Sequence, residues 1–180
     1  MKNRITLLPV GDVDEGLVRW LQRPLKKVFK AGVERCAVMK FPRDAYNPVR
    51  DQYLAAVILL RMRRCLSPGE RERVLGITER DLYADDLNFV FGQAELPGQF
   101  ALISLARLRP SFYGHTEKLK SVRQRMLKEA VHELGHTFGL KHCDNSACVM
   151  HFSLSLKDTD LKDADFCESC REKIKASLSP

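Results

Sequence analysis

The residues best suited to chemistry are histidines and cysteines crowded into the last third of the chain. The segment from His132 to His142 reads H-E-L-G-H-T-F-G-L-K-H. His132 and His136 are four residues apart, so on a helix their imidazoles lie one turn apart and can converge on one metal ion. We expect the helix to end at Gly139, since glycine readily adopts the left-handed conformation that reverses the chain after a helix. Such a turn allows His142 to return as a third nitrogen ligand.

Three protein nitrogens leave the fourth position of a tetrahedral zinc ion open, which is typical of catalytic rather than structural zinc. Glu133 is adjacent to the first histidine, points in another direction on the helix and can reach a zinc-bound water without ligating the metal. The pattern therefore indicates hydrolysis in which Glu133 activates the water. The competing interpretation is a solvated helix face with incidental histidines, and the glycine and third histidine at fixed offsets argue against it.

A second zinc site is indicated by cysteines. Two short-spaced pairs are separated by a loop, which is a typical four-thiolate zinc pattern; the four are Cys143, Cys148, Cys167 and Cys170. Because protein would fill all four positions, this zinc should be structural and should hold the C-terminal tail beside the catalytic loop. Four reduced thiols without metal are the alternative, and disulfides are disfavoured in an intracellular compartment. Cys36 and Cys65 stand in apolar elements, where buried, inert thiols are expected.

Composition limits the class of protein. The chain has 180 residues, 44% of them hydrophobic, which is enough to bury a core. Its 30 Lys and Arg against 23 Asp and Glu give a net charge of +7, which permits an anionic partner without requiring one. The longest apolar run, Leu54 to Leu60, is too short to span a membrane, and Ile5 to Val10 lacks the apolar length of a signal peptide. We therefore expect a cytoplasmic protein without a membrane partner.

The elements that must position these residues are expected to be alternating strands and helices. The predicted strands are Ile5–Val10, Val33–Phe41, Arg73–Thr78, Asn88–Gln93 and Gln99–Leu108. The predicted helices are Asp14–Lys30, with Pro24 as a candidate kink, Gln52–Cys65, and one capped by Thr116 that continues to Phe138. Leu96-Pro97-Gly98 reads as a hairpin loop between the last two strands. On the last helix, His132 and His136 project about 160° from the apolar stripe centred on Leu134.

The combined pattern H-E-x-x-H-x-x-G-x-x-H-C-x4-C-x-M…C-x-x-C resembles that of the archaemetzincins, a branch of the metzincin metallopeptidases. The resemblance is strong from Ala130 to Cys170 and looser over Leu87–Gly92 and Ser104–Leu108. It implies two zinc ions per chain, with Glu133 as the general base. The implied ligands are His132, His136 and His142 for the catalytic zinc, and Cys143, Cys148, Cys167 and Cys170 for the structural zinc.

The same resemblance implies that Met150 lies beneath the catalytic zinc, in the family's Met-turn. It also implies that a peptide substrate lies antiparallel to an edge strand above the cleft, for which Asn88–Gln93 is the best candidate. The implied activity is zinc-dependent hydrolysis of peptide bonds, with a natural substrate that the sequence does not identify. We expect the chain to act as a monomer on a peptide or protein substrate.

The fold class expected from both lines of reasoning is α/β, or mixed α+β. It would contain a twisted mixed β-sheet of about five strands with packed helices, in a single metallopeptidase domain spanning residues 1–180. Within that domain, residues 1–115 would form the sheet and helices. Residues 116–142 would form the active-site helix and third-ligand loop, and residues 143–180 the Met-turn and structural zinc segment.

Two other functions remain open from the sequence. A latent or non-catalytic zinc module would recognise a protein or peptide partner; the intact Glu133 argues against simple loss of catalysis but not against a blocked cleft. A nucleic-acid binder would use the cysteine zinc and the basic excess. However, the tail mixes Asp158, Asp160, Asp163 and Asp165 with its lysines and lacks an aromatic and basic cluster near the cysteines. No nucleic-acid partner is therefore expected.

Overall fold

The chain alternates short strands with helices, in a computed structural model that describes residues 3–178. The elements follow in the order β1 (Arg4–Pro9), α1 (Glu15–Phe29), β2 (Gly32–Arg35), β3 (Tyr46–Asn47), β4 (Gln52–Leu54), α2 (Ala55–Cys65), β5 (Glu72–Thr78), β6 (Leu82–Ala84), β7 (Leu87–Val90), β8 (Gly92–Ala94), β9 (Phe100–Ser104), α3 (Leu119–Thr137), α4 (Leu156–Leu161) and α5 (Glu168–Leu178). The expected mixed α/β class is confirmed.

Five strands form one mixed sheet in the order β2-β1-β5-β9-β8. The first four are parallel, and β8 joins the edge antiparallel, with Gly92 opposite Ile103 and Ala94 opposite Ala101. The hairpin predicted at Leu96-Pro97-Gly98 therefore connects β8 to β9. This edge strand passes beside the end of α3 that carries the candidate chemistry.

Helices cover both faces of the five-stranded sheet, which explains why its central strands β1, β5 and β9 are buried over most of their length. On one face, Leu75 and Ile103 pack in a core with residues of α1 and α3. On the other face, Val74 and Leu102 pack with residues of α2. None of the helices between residues 3 and 178 has the length and apolar content needed to cross a membrane.

A second sheet of four strands, in the order β3-β4-β6-β7, was not expected from the sequence. Its strands are only two to four residues long, so they show no alternation that could be recognised. Two predicted elements are divided by it. Gln52–Leu54 forms β4 before α2 begins, and the strand predicted over Asn88–Gln93 breaks at Phe91 into β7 and β8, which belong to different sheets.

Other boundaries also differ. The strand predicted at Val33–Phe41 ends at Arg35, and only an isolated bridge between Val10 and Met39 continues it. The strand predicted over Gln99–Leu108 ends at Ser104, where a short 3-10 turn follows. Helix α1 includes Pro24, the candidate kink, and continues to Phe29.

The start of α3 corrects the prediction that Thr116 caps this helix. The N-cap is Lys118, and its side chain makes no capping hydrogen bond. Glu117 pairs with Arg109 and accepts a hydrogen bond from the Ser111 hydroxyl at 2.8 Å. These contacts hold residues 116 and 117 in the preceding loop.

Neither isolated cysteine is fully buried as expected, although Cys36 is partly buried and packs against the core that includes α2. Cys65 is exposed at the C-terminal end of α2, and Cys36 is partly exposed just after the edge strand β2. Apolar neighbours in sequence did not predict burial here because both residues lie at the ends of their elements.

Candidate active site

Three histidine side chains converge where α3 ends. Nitrogen atoms of His132, His136 and His142 all lie within 4.8 Å of one another. Between the first two, the Nε2 atoms are 3.1 Å apart. The chain reverses at Gly139, whose φ of 89° is the left-handed conformation predicted for that position. The reversal brings the His142 ring to 5.0 Å from the His136 ring, measured between centroids.

Backbone carbonyls determine which nitrogen of each helical histidine is free. The Nδ1 atom of His132 lies 2.8 Å from the Val149 carbonyl, and that of His136 lies 2.7 Å from the Leu140 carbonyl. Because a carbonyl only accepts, each Nδ1 carries the proton, which leaves the Nε2 lone pairs facing each other. Burial also lowers the pKa of His132 well below its ordinary value, and it lowers that of His136.

This donor set fits a zinc ion. Neutral imidazoles with unprotonated Nε2 atoms are the form in which histidine binds metal. Two nitrogens bound at about 2.0–2.1 Å in tetrahedral geometry are about 3.4 Å apart, close to the 3.1 Å separation of the Nε2 atoms of His132 and His136. Burial lowers the pKa of His142 as well, so the third histidine is also neutral near pH 7.

Glu133 lies beside the histidines and is only 6% exposed. Burial raises the pKa of this carboxyl well above its ordinary value; the charge of Glu129 adds to that effect and the charge of Lys162 opposes it. The side chain packs directly against the backbone of Gly92 in the edge strand. A carboxyl group and three imidazoles thus share one buried corner between α3 and β8.

A cavity of about 470 Å³ opens over this corner, lined by the three histidines and Glu133. Its remaining wall is largely apolar, with side chains from β7, from the β8–β9 hairpin and from the segment after Met150. The principal ones are Leu87, Phe89, Leu96, Phe152 and Leu154. The arrangement can therefore hold an extended, partly apolar ligand against the histidines.

Met150 packs against the active-site helix at Gly135. A β-carbon on Gly135 would lie 2.5 Å from the Met150 sulfur, so the methionine approaches α3 this closely only because residue 135 is glycine. The Met150 carbonyl accepts a hydrogen bond from the Cys143 amide at 3.0 Å. The turn at Met150 is thereby attached to the residue that follows His142.

The four cysteines picked out by spacing also come together. Their sulfur atoms lie within 4.8 Å of one another, with Cys143 and Cys167 at 3.8 Å. That distance is far longer than the roughly 2.05 Å of a disulfide and matches about 3.8 Å for two thiolates on one tetrahedral zinc. The Cys167 amide donates to the Cys148 sulfur at 3.3 Å. A hydrogen bond from the Cys170 amide lowers the pKa of Cys167 to about 7, whereas burial raises that of Cys148 and Cys170.

Residues that the sequence did not single out complete the site. Glu129, one turn before His132, also lines the cavity, and its carboxylate pairs with Lys162 at 3.0 Å. Thr159 donates to the same carboxylate at 3.2 Å. A glutamate at this helical spacing could have been noticed, but nothing in the sequence marks Lys162 or Gly92 as partners of the active-site helix.

The two remaining histidines lie outside the metal-ligand group. His151 is half-buried, and its Nδ1 lies 2.9 Å from the Cys143 carbonyl. His115 is exposed in the loop before α3 and lines a neighbouring cavity.

A histidine pair on one helix, a third histidine beyond a glycine turn and a buried glutamate are the arrangement expected for the site of a zinc metallopeptidase. The chain belongs to Peptidase family M54, whose family model matches residues 39–176. It is 47% identical over 171 residues to the archaemetzincin of Methanocaldococcus jannaschii, covering 95% of this chain and 92% of that one. The expected relationship to the archaemetzincins is therefore confirmed.

Solved structures agree with this assignment. The archaemetzincin of Methanopyrus kandleri superimposes with a TM-score of 0.84 at 37% identity, covering 99% of this chain and 97% of that one. A zinc-dependent peptidase of Methanocorpusculum labreanum gives a TM-score of 0.85 at 34% identity, covering 94% of this chain and 99% of that one. The protein is thus a zinc metallopeptidase that acts on peptides or proteins.

Proposed function

We propose that His132, His136 and His142 hold the catalytic zinc and that Glu133 is the general base in peptide-bond hydrolysis. The observation that carries this proposal is the position of the Glu133 carboxyl in the wall of the same cavity as the three converging nitrogens. When bound, the zinc supplies a Lewis acid that polarises the scissile carbonyl and lowers the pKa of the attacking water.

The chain's own contribution is to orient the reactants and to move a proton. Glu133 accepts a proton from the attacking water and passes it to the leaving amine. Its side chain is fixed by contact with Gly92, so the carboxyl keeps its direction relative to the histidines. The buried position of Glu133 also limits access of bulk water to this proton.

We propose that the peptide lies along the free edge of β8. This strand pairs with β9 on one side, and its residues Gly92, Gln93 and Ala94 line the cavity on the other. An extended chain can add to such an edge through main-chain hydrogen bonds, antiparallel to the strand. Of the predicted edge segment Asn88–Gln93, only its last two residues belong to β8.

The four cysteines are proposed to bind a second, structural zinc, giving two zinc ions per chain. Their mutual distances and the amide hydrogen bond to Cys148 support a closed tetrahedral site. All the residues named for both metal sites come from one chain. We therefore propose that residues 1–180 form one catalytic domain that works as a monomer.

The test compares wild type with Glu133→Ala and Glu133→Gln in a digest of a broad peptide library, with zinc content measured in parallel. Wild type should cleave peptides and lose that activity on chelation. Both variants should lose at least two orders of magnitude in rate, since general-base catalysis contributes about 10²–10⁴-fold, and should keep their zinc.

The latent-module alternative predicts zinc retention without cleavage by wild type. Among residues 3–178, no further His, Cys, Asp or Glu joins the three histidine nitrogens as a fourth donor. A zinc-loaded wild type that cleaves nothing in the library would therefore count against the catalytic proposal rather than against metal binding.

A further inference from the structure

A second cavity continues from the catalytic cleft. Its volume is also about 470 Å³, and the two cavities share Phe89 of β7 and Leu154 of the segment after Met150 as lining residues. These two side chains therefore form the boundary across which a ligand in the cleft would extend. Leu154 is 66% exposed, so this boundary is open to solvent rather than closed by the core.

The charges around the second cavity are of one sign. Arg107, Arg125 and Lys157 line it, whereas within the described part of the chain no acidic side chain does. The apolar part of its lining includes Tyr113 and Leu156. An apolar pocket with a cationic rim suits a ligand that carries a carboxylate next to an apolar group.

The two arginines are held in place by carboxylates that do not line the cavity. Arg107 forms a two-bond pair with Asp81 at 2.7 and 2.8 Å, and its guanidinium lies 4.4 Å over the Phe89 ring. Arg125 pairs similarly with Asp160 at 2.7 and 2.8 Å. The pair with Asp81 occupies two of the five N–H groups of Arg107, so donors remain.

Lys157 supplies a positive charge that is not neutralised. It is exposed at the start of α4 and forms no salt bridge with any residue in the range 3–178. This lysine is therefore the cation of the rim best placed to attract a carboxylate.

The direction of β8 indicates which end of a peptide would reach this cavity. The strand runs from Gly92 to Ala94, and Phe89 precedes its first residue. In a peptide that lies antiparallel to β8, the C-terminal half is therefore the half nearer to Phe89. Residues downstream of the cleaved bond would enter the second cavity.

We propose that this cavity is a binding subsite for a carboxylate on the downstream side of the substrate. The proposal rests on the function proposed above. The carboxylate is that of an aspartate or glutamate side chain, or the C-terminal carboxylate of a short peptide. Lys157 is the residue that attracts this carboxylate. The cleft then favours peptides that are apolar next to the cleaved bond and acidic further downstream.

The test uses one cleavable sequence from the library digest, followed downstream by Glu or Gln, each made as free acid and as C-terminal amide. Wild type should favour the carboxylate-bearing peptides in kcat/KM by about two- to fivefold, as expected for an exposed charge pair. The preference should shrink at high salt and disappear in Lys157→Glu and Lys157→Gln. Lys27→Glu, the same charge change on α1, should retain it.

The four peptides separate the sources of the carboxylate. If the Glu peptide is cleaved with a higher kcat/KM than the Gln peptide even when both are amides, the subsite binds a side-chain carboxylate. If amidation lowers kcat/KM equally for the Glu and Gln peptides, the subsite binds the C-terminal carboxylate. Equal kcat/KM for all four peptides would overturn the proposal, as would a preference unchanged in both Lys157 variants. If no peptide is cleaved, the proposed function fails instead. Fluorescence anisotropy of the same labelled peptides on zinc-loaded Glu133→Ala then tests the subsite by binding alone.

Discussion

Gly92 and Glu133 pack so closely that a β-carbon on residue 92 would lie 2.6 Å from Glu133 Cγ and 2.7 Å from its Oε1. The Leu102 carbonyl would lie 2.7 Å from the same carbon, so β8 cannot accommodate a side chain by moving toward β9. The edge strand and the active-site helix meet at this distance because residue 92 is glycine.

We expect Gly92→Ala to displace the Glu133 carboxyl and to lower kcat by about 10²-fold, the cost of misplacing a reacting group by about 1 Å. Zinc content should be unchanged, because the atoms nearest to the added β-carbon belong to Glu133 and Leu102 and not to the histidines. Gly69→Ala is the matched control, since a β-carbon there has no heavy atom within 4 Å. Full activity in Gly92→Ala would show that Glu133 does not need this contact.

The buried pair of Glu129 and Lys162 should be important for stability. Lys162 is fully buried, with its ammonium 3.0 Å from the Glu129 carboxylate and 3.4 Å from the His151 carbonyl. Lys162→Met leaves a buried carboxylate without its cation and should lower the free energy of unfolding by about 3–5 kcal/mol. Denaturant unfolding of the zinc-loaded protein measures this change.

The double variant Lys162→Met with Glu129→Gln is the control for that pair. Because neither charge remains buried, its loss of free energy of unfolding should be smaller than the sum of the losses in the two single variants. Additive losses would mean that the two residues do not stabilise each other.

Gly139→Ala should weaken zinc binding by the third histidine. Its φ of 89° imposes about 1–2 kcal/mol of strain on any residue with a β-carbon, although space is available, since the nearest atom is Pro97 Cβ at 4.0 Å. Gly114→Ala has the same kind of strain, at a φ of 75°, outside the metal site. Both variants should be destabilised, but zinc competition titrations should show reduced affinity only for Gly139→Ala.

Metal analysis should distinguish the two zinc sites. Wild type should contain two zinc ions per chain, and Cys167→Ser should retain one and unfold at lower temperature, because a structural zinc contributes its binding energy to folding. Cys65→Ser removes an exposed thiol outside the cluster and should retain both ions. One zinc ion in wild type would remove the structural site from the proposal.

The residues of the two proposed metal sites could be predicted because each set lies close together in sequence. His132, His136 and His142 are brought together by one helix and one turn, so helical spacing and a glycine were sufficient. The cysteine pairs are separated by a longer loop, yet each pair is local. Their grouping in the structure required no knowledge of the sheet.

Contacts between distant elements could not be predicted in this way. Lys162 lies in a tail rich in aspartate, where a lysine is usually solvated, and only the packing of α4 against α3 buries it. Gly92 looked like part of a longer strand because nothing local indicates the break at Phe91. The capping preference of Thr116 likewise gave way to the pairing of Glu117 with Arg109.

His142 and Cys143 are consecutive residues, one from each cluster, and the Cys143 amide is hydrogen-bonded to Met150 beneath the active-site helix. An ion held by the four thiols would therefore restrain the same peptide unit that carries the third imidazole. If both clusters bind zinc as proposed, their occupancies would be thermodynamically linked, and each ion would raise the affinity of the other by the same factor. Loading of zinc at limiting concentration would consequently favour chains with both ions or none over chains with one.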